Sequence, residues 1–196
     1  MNPSLLRSRL IATRRNLPPD ERLERSRAIC RHIIHHPRFD RARNLACYLA
    51  VGGEADLHAV MEEAWAMGKR LYLPVLSPLR HNRLWFAPWD GIAPLRRNRF
   101  GIPEPLHTWR ETIPPQMLDL VVAPLVAFDA ECHRMGMGGG FYDRTFAFLL
   151  HRKHWRKPWM LGAAYEFQQV ERISTRRWDV PIDAVATERG IHSCKR

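Results

Sequence analysis

The chain has 196 residues, of which 45% are hydrophobic and 26% are charged, the balance of a folded rather than a disordered protein. This length suits one domain, and we expect residues 1–196 to form it. The longest uncharged apolar stretch, residues 120–128, contains a proline and is less than half the roughly 20 residues of a membrane-spanning helix. These properties exclude a transmembrane protein.

The cysteines and the N-terminus indicate the compartment. Cys30, Cys47, Cys132 and Cys194 are widely spaced and form no Cys-x-x-Cys pair, which favours neither a zinc site nor a disulfide framework. We therefore expect free thiols and a reducing, cytoplasmic location. The N-terminus lacks the apolar core of a secretory signal. Its acid-poor composition up to Asp20 faintly resembles a transit peptide, but a surface helix explains it better.

Charge is unevenly distributed along the chain, whose formal net charge is +11. Residues 1–43 hold eleven Arg and four acidic residues, whereas residues 100–143 hold two Arg and six acidic residues. A basic chain of this kind favours anionic partners, such as nucleic acid, phosphates or polycarboxylates. A solvated basic surface with weak, unspecific RNA binding explains the charge equally well.

Helical patterns occupy the first third of the chain. Leu6 and Leu10 share a face of an Arg-rich helix that ends before Pro18. A second helix follows, with Asp20 as its candidate N-cap. Its apolar residues at near-helical spacing are Leu23, Cys30, Ile33 and Ile34. A later stripe that ends at Gly68 predicts a third helix and consists of Leu57, Val60, Met61, Ala64 and Met67.

Strands are expected at residues 45–51, 71–75, 120–126, 160–164 and 184–187. The segment 120–126 is the strongest, because it is apolar on both faces, as a central parallel strand is. Residues 77–115 are rich in Pro, Arg and Trp and are expected to form a long functional loop with a short strand at 84–86. The alternation of helix and strand predicts a single-domain α/β fold, with a mostly parallel, Rossmann-like central sheet between helices in three layers.

The glycine-rich segment after the strongest strand is the main candidate site, because ligands of parallel sheets bind beyond the carboxyl ends of the strands. Four glycines within residues 136–140 let backbone amides approach a ligand and donate to its oxygens. A helix expected to begin near Phe141 adds its positive end. Arg134 and Arg144 supply planar donors for phosphate, and Asp143 offers a carboxylate to Mg²⁺.

This spacing fits neither the P-loop nor the dinucleotide-binding fingerprint. A glycine-rich turn whose Arg and Asp form surface ion pairs is the structural alternative. The flanking Arg, Tyr and Asp side chains favour a nucleotide phosphate site over that turn.

Residues 119–129, DLVVAPLVAFD, and 134–144, RMGMGGGFYDR, resemble the signature of the 5-formyltetrahydrofolate cyclo-ligase family. Shorter matches follow the family order: GEAD at 53–56, GK at 68–69, FGIPEP at 100–105 and WDVP at 178–181. The resemblance spans essentially the whole chain, and the glycine-loop signature is highly specific.

The resemblance implies an ATP- and Mg²⁺-dependent enzyme that closes 5-formyltetrahydrofolate to 5,10-methenyltetrahydrofolate and releases ADP and phosphate. A formamide oxygen is a poor leaving group, so transfer of the γ-phosphoryl group to it would give an iminium phosphate that N10 attacks. Such chemistry asks mainly for positioning and charge neutralisation. The implied catalytic residues are Arg134, Arg144 and Asp143.

The resemblance also implies binding roles. ATP would contact Arg7 and the loop residues Arg134, Met135, Gly136, Met137, Gly138, Gly139, Gly140, Phe141 and Tyr142. Mg²⁺ would bind Asp143 and Asp179, although Asp179 also suits a simple turn before Pro181. The folate would contact Leu49, Glu54 and Phe100, with the Glu54 carboxylate accepting N–H bonds from the pterin. Without the resemblance, Leu49 suits the core, Glu54 suits a solvated surface, and Phe100 suits loop packing.

The implied partners are small molecules, namely ATP and a folate that carries polyglutamate in cells. Neither a membrane nor a specific nucleic acid is expected. The sequence does not fix the oligomeric state, and a monomer is expected.

Two positions depart from the family pattern. Pro3 stands where the family usually has a Lys that contacts ATP, and Arg9 is the candidate substitute. Cys132 stands where Gly is usual, so a positive φ there would cost strain. An alternative hypothesis, motivated by these departures and the charge, is an RNA-binding protein that kept the scaffold and lost catalysis. The intact glycine loop favours the enzyme.

Histidines supply weaker candidates. His32, His35 and His36 have the spacing of a metal pair, although a solvated helix face is favoured. His133 is a candidate general base, but phosphoryl transfer to a formyl oxygen removes no proton from that oxygen.

Overall fold

The computed structural model describes residues 2–77, 82–152 and 157–194. Its α-helices are α1 (Pro3–Arg15), α2 (Pro19–Ile34), α3 (Pro37–Arg41), α4 (His58–Ala66) and α5 (Phe141–Phe146). Short 3-10 helices span Pro115–Met117, Ala147–His151 and Glu166–Gln168. None of the helices in these three ranges is long and apolar enough to cross a membrane.

The strands form one large sheet and two small ones. They are β1 (Asn44–Ala46), β2 (Arg70–Leu76), β3 (Leu84–Pro88), β4 (Leu95–Arg97), β5 (Pro103–Pro105), β6 (Leu120–Pro124), β7 (Ala127–Phe128), β8 (Arg134–Met135), β9 (Trp159–Ala163), β10 (Ala184–Thr187) and β11 (Gly190–Ser193). The large sheet has the strand order β11-β10-β9-β6-β1-β2-β3, and β4-β5 and β7-β8 form separate antiparallel pairs.

The prediction of a mostly parallel sheet is confirmed. The strands β2, β1, β6, β9 and β10 run parallel to one another in the sheet, and only the edge strands β3 and β11 are antiparallel to their neighbours. The strand β6 lies in the middle of the seven, with Leu45 and Trp159 as cross-strand partners of Leu120. Its first four residues are buried, as expected of a central strand covered on both faces.

The sheet separates two apolar cores, because successive residues of a strand point to opposite faces. On one face, Leu120 and Val122 belong to a core that includes residues of α2, α3 and α4. On the other face, Val121 belongs to a core that includes Phe146 of α5. The protein therefore has the three-layer α/β architecture that the sequence predicts.

Helix α1 packs beside the carboxyl end of β6. The Asn2 side chain accepts a hydrogen bond from the Ser4 N–H at 2.9 Å and so caps the helix. Leu6 and Leu10 are buried in a third cluster with Val126, which follows β6. The predicted shared face of these leucines is therefore correct.

Some predicted details of the helices were wrong. Asp20 is not the cap of α2: Pro18 occupies that position, and Asp20 lies in the first turn, where a carboxylate favours the helix dipole. Leu23 and Met67 are exposed, whereas the other residues of their predicted stripes lie in or against the core. Gly68 follows α4 with a φ of +67°, the left-handed conformation of a helix stop.

Several predicted strand boundaries also differ. The first strand covers only Asn44–Ala46 instead of residues 45–51, because the chain then leaves the sheet and turns at Gly52 and Gly53, both with positive φ. The region of the predicted long loop contains β3, as expected, and also the β4-β5 hairpin; residues 78–81 of this region lie outside the described ranges. The edge strand β11 was missed by the sequence analysis.

The expectation of free thiols was wrong for two cysteines. Cys132 and Cys194 form a disulfide, with their Cα atoms 5.7 Å apart, whereas Cys30 and Cys47 are free and buried. Burial raises the pKa of the Cys30 thiol to about 11, so this thiol is protonated at neutral pH. Cys132 has a φ of +58°, and this non-glycine residue therefore carries the predicted strain.

Candidate active site

One large cavity lies beyond the carboxyl ends of β1 and β6, where a parallel sheet is expected to bind its ligand. Its volume is about 1550 Å³, and its wall includes residues of α1, of the segment after β1, of the β4-β5 hairpin and of the glycine loop. Every catalytic, ATP-binding, folate-binding or metal-binding residue that the family resemblance implies lies on this wall: Arg7, Leu49, Glu54, Phe100, residues 134–144 without exception, and Asp179. The fold thus gathers residues from nearly the whole length of the chain into one space.

The glycine loop, residues 136–140, forms one side of the cavity. Gly138 and Gly140 have φ values of +96° and +63°, which L side chains rarely adopt. A Cβ atom at Gly136 would meet no other atom within 4 Å, so there is open space beside the backbone. Apart from the exposed Met137 side chain, the loop therefore presents main chain to the cavity.

Arg134 and Asp143 form an ion pair beside the loop. The Arg134 Nη2 donates to Asp143 Oδ1 at 2.6 Å, and the Val180 N–H donates to the same oxygen at 3.1 Å. The Arg134 Nε is buried and has no hydrogen-bond partner among the residues that the structure describes. An unpaired donor of this kind is costly unless a ligand oxygen accepts from it.

Two further arginines hold the carbonyl groups of the loop. Arg7 Nε donates to Gly136 O at 2.9 Å, and Arg144 Nη2 donates to Gly139 O. Both guanidinium groups line the cavity and keep other N–H donors for a ligand. Arg9, the candidate substitute for the missing Lys, is not among the described residues that line the cavity, whereas Pro3 is.

Asp143 and Asp179 are the cavity-wall carboxylates predicted to hold a divalent cation, and each has an oxygen that could do so. The Asp179 Oδ2 accepts from the Arg176 N–H at 2.7 Å, so its Oδ1 is available to a ligand, as is Oδ2 of Asp143. Within the described ranges, no group of three or more His, Cys, Asp or Glu residues could hold a metal ion. Mg²⁺ at nucleotide sites is commonly bound by one or two carboxylates together with phosphate oxygens and water, so this donor set fits.

Glu54 is a buried residue of the cavity wall, because only 7% of it is exposed. Its Oε2 accepts from the Val51 N–H at 3.1 Å, and its Oε1 lies 3.5 Å from Arg14 Nη2. Burial raises the pKa of Glu54, and the Arg14 charge and the Val51 N–H act in the opposite direction. The structure therefore rejects the solvated-surface interpretation and places a buried, paired carboxylate at the cavity.

Apolar residues complete this part of the wall. Leu49 is half-buried and packs against the core beneath the cavity. Phe100, in the loop of the β4-β5 hairpin, is 53% exposed, and its ring meets the Phe141 ring edge-on at 5.6 Å. The hairpin is attached to β2 through Glu104, whose Oε1 accepts from the Leu76 N–H at 2.9 Å. A flat ligand could stack on the exposed Phe100 ring.

Part of the positive charge of the chain is concentrated on this wall. Its acidic residues are Glu54, Glu104, Asp143 and Asp179, and its arginines are Arg7, Arg14, Arg15, Arg83, Arg97, Arg134, Arg144 and Arg176. Excess cations around a concave site attract polyanions such as nucleotides. Neither Arg14 nor the β4-β5 hairpin was predicted from the sequence to line the site, and the Arg14-Arg15 pair at the end of the first helical pattern was the available signal.

The histidine candidates lie elsewhere. His133 contacts the buried Asp129 carboxylate, with Nδ1 and Oδ2 3.0 Å apart, and is not among the described residues of the wall. His32 contacts the Thr187 carbonyl, and His36 stacks on Trp159. Both alternatives, a general base and a metal pair, therefore lose their structural basis.

Comparison with known proteins agrees with this architecture. Residues 2–188 match the model of the 5-formyltetrahydrofolate cyclo-ligase family. The chain is 38% identical over 174 residues to the 5-formyltetrahydrofolate cyclo-ligase of Escherichia coli K12, covering 89% of this chain and 93% of that one. It is 35% identical over 179 residues to the Haemophilus influenzae enzyme of the same name, covering 90% and 92%.

A solved structure gives the same result. The NMR structure of Aquifex aeolicus 5,10-methenyltetrahydrofolate synthetase superposes with a TM-score of 0.82 at 32% identity, covering 100% of this chain and 94% of that one. Sequence and fold therefore agree over nearly the full length of these relatives, and the chain belongs to the 5-formyltetrahydrofolate cyclo-ligase family of enzymes.

Proposed function

We propose that the enzyme closes 5-formyltetrahydrofolate to 5,10-methenyltetrahydrofolate, with hydrolysis of ATP to ADP and phosphate and a requirement for Mg²⁺. The observation that carries this proposal is one cavity that joins a glycine loop flanked by arginines to a buried carboxylate, Glu54. Its volume of about 1550 Å³ exceeds the roughly 300–1,000 Å³ of a pocket for one drug-sized ligand, which supports a site for two substrates.

The glycine loop and its arginines form the phosphate half of the site. The backbone of residues 136–140 approaches the phosphates, and Arg134 offers the unpaired Nε as a donor. Arg7 and Arg144 fix the loop through its carbonyl groups and direct their remaining N–H donors to phosphate oxygens. Asp143 and Asp179 hold Mg²⁺, which neutralises charge on the nucleotide phosphates when it is bound.

Glu54, Leu49 and Phe100 form the folate half. The Glu54 carboxylate accepts two N–H bonds from the 2-amino-4-oxo edge of the pterin, while Leu49 and Phe100 pack against its faces. The folate half and the phosphate half line the same cavity. Because both substrates are held in one cavity, transfer between them becomes effectively unimolecular.

The reaction then proceeds in two steps. The formyl oxygen attacks the γ-phosphorus, and the bond from the γ-phosphorus to the β-phosphate oxygen breaks. ADP departs, and the folate becomes an iminium phosphate. N10 attacks the formyl carbon, its proton leaves to solvent, and phosphate departs with the oxygen. Arg134 and Arg144 stabilise the charge that spreads over the transferred phosphoryl oxygens.

Mixing the purified protein with 5-formyltetrahydrofolate, ATP and Mg²⁺ tests the proposal through the near-ultraviolet absorbance of the methenyl product. We expect a rise that needs all three components and yields one ADP per product. A matched variant, Glu54→Gln, is expected to raise the KM for the folate far more than the KM for ATP. A folded protein that binds ATP but forms no methenyl product would refute the proposed activity.

A further inference from the structure

Arg14, at the C-terminal end of α1, is a buried cation with three acceptors. Its side chain is only 3% exposed. Nε donates to Gly52 O and Nη1 donates to Leu125 O, both at 3.2 Å, and Nη2 lies 3.5 Å from Glu54 Oε1. The guanidinium thus joins α1 to the segment after β1 and to the segment after β6.

Arg14 is the cation that favours the ionised form of Glu54. The titratable and charged groups that face it are Arg14 from α1, Tyr48 from the segment after β1 and Tyr142 from α5. Burial raises the pKa of both tyrosine hydroxyls, so both are neutral at neutral pH. Among the residues described, Arg14 therefore supplies the positive charge that favours the Glu54 carboxylate.

The backbone fixes the distance between these two groups. A Cβ atom on Gly53 would lie 2.7 Å from the Arg14 carbonyl oxygen, so only glycine lets the segment sit directly on the end of α1. Gly53 also has a φ of +80°. The same helix holds Gly136 of the glycine loop through Arg7. One rigid element therefore contacts both halves of the cavity.

We propose that Arg14 is a positioning residue of the enzyme, which acts through Glu54 by holding its carboxylate ionised and aimed at the folate. The inference rests on the proposed role of Glu54 in pterin binding. Two of the guanidinium nitrogens are committed to backbone carbonyls, so the third is held in one place beside Oε1. A planar, multidentate cation serves this purpose better than a lysine ammonium does.

The test measures the KM values for 5-formyltetrahydrofolate and ATP across a pH series in Arg14→Met, Arg14→Lys and the control Arg27→Met. Arg27 is exposed on α2. In Arg14→Met, the folate KM is expected to rise by about 10- to 100-fold, the change expected when a hydrogen bond to a charged group is lost, while the ATP KM stays within about twofold. The acid limb, the pH range in which folate binding weakens as the pH falls, should move to higher pH, because a buried carboxylate without its cation protonates more readily.

The conservative and double variants separate positioning from simple structural support. Arg14→Lys keeps the charge, so its acid limb is expected to match that of the wild type. Its folate KM is expected to lie between those of the wild type and Arg14→Met. In a Glu54→Gln background, Arg14→Met should add little to the folate KM, because both changes remove the same interaction. A folate KM and an acid limb in Arg14→Met that match those of Arg27→Met would overturn the inference, and so would full additivity.

A titration of the Glu54 carboxyl by ¹³C NMR distinguishes failure of this inference from failure of the proposed function. The expected result is a higher pKa for Glu54 in Arg14→Met than in the wild type. An unchanged pKa contradicts the role of Arg14 even if the enzyme is active, whereas absence of methenyl product in the wild type contradicts the activity itself. If Arg14→Met does not fold, Arg14→Lys carries the test: its folate KM is expected to rise while its ATP KM and its acid limb stay those of Arg27→Met, and an unchanged folate KM would overturn the inference.

Discussion

Replacing Asp143 by asparagine separates the structural role of this carboxylate from its proposed role in Mg²⁺ binding. The asparagine side chain would keep the shape of the aspartate and could still accept from the Val180 N–H, which now donates to Oδ1 at 3.1 Å. It would lose the charge that faces Arg134 at 2.6 Å. The variant therefore tests the charge with little change in packing.

The stability cost follows from the exposure of the pair. The Arg134 and Asp143 side chains are 8% and 22% exposed, so the pair lies between an exposed ion pair, worth up to about 1 kcal/mol, and a buried one, whose disruption costs about 3–5 kcal/mol. We expect a loss of about 2 kcal/mol in the free energy of unfolding. For a chain of this size, this corresponds to a decrease in Tm of about 4–8 °C.

The effect on activity should be far larger than the stability loss explains. At a temperature well below the Tm, kcat is expected to fall by about 100-fold or more, as when one group that stabilises transition-state charge is removed. The Mg²⁺ concentration for half-maximal rate should rise. Asp179→Asn is the matched comparison, because among the described residues the Asp179 side chain accepts a hydrogen bond only from the exposed Arg176 N–H. Its Tm should therefore barely change, while the Mg²⁺ concentration for half-maximal rate should also rise. An unchanged kcat and Mg²⁺ dependence in Asp143→Asn would refute the magnesium role.

Three further predictions concern the fold. Burial acts to raise the pKa of Asp119, but the Lys157 ammonium and the N–H groups of Arg43 and Asn44 lower it overall. The ionised Asp119 therefore stabilises the folded protein at neutral pH, and this contribution is lost as the pH falls through the lowered pKa. Asp119→Asn should therefore reduce the free energy of unfolding by about 1–2 kcal/mol at pH 7 and by less in acid, and an equal loss in urea titrations at both pH values would contradict this. Gly53→Ala should destabilise the protein by more than about 1 kcal/mol, because the new Cβ would lie 2.7 Å from the Arg14 carbonyl oxygen. Gly101→Ala should cost less, because Gly101 has a similar φ of +75° but no atom within 4 Å of the new Cβ. Equal Tm values for the two variants would argue against the close contact with α1. Under denaturing, non-reducing conditions, thiol titration should find two free thiols rather than four because of the Cys132–Cys194 disulfide, and reduction should lower stability by about 2–4 kcal/mol for a closed loop of 62 residues; four titrating thiols would exclude the bond.

Local patterns in the sequence were sufficient for the architecture. A strand buried on both faces must be apolar throughout, and residues 120–124 show this directly, which is why the central position of β6 was predictable. Alternation of strands and helices then fixed the α/β class. The boundaries were less predictable: the apolar residues 47–51 continue the pattern of β1, yet the chain turns away from the sheet there, because apolar composition also suits a buried loop.

The glycine loop and its flanking residues could be found from the sequence because they are contiguous, so the glycines can be read together with the Arg, Tyr and Asp side chains that favour a phosphate site. The sequence determined the α/β class and the central strand through such short-range patterns, and it predicts a phosphate site at residues 134–144. Tertiary structure alone decided which distant residues meet: Arg14 with Glu54, and Cys132 with Cys194. These pairings depend on where the intervening segments cross the sheet, and no periodicity along the chain encodes a distance between segments that are remote in sequence.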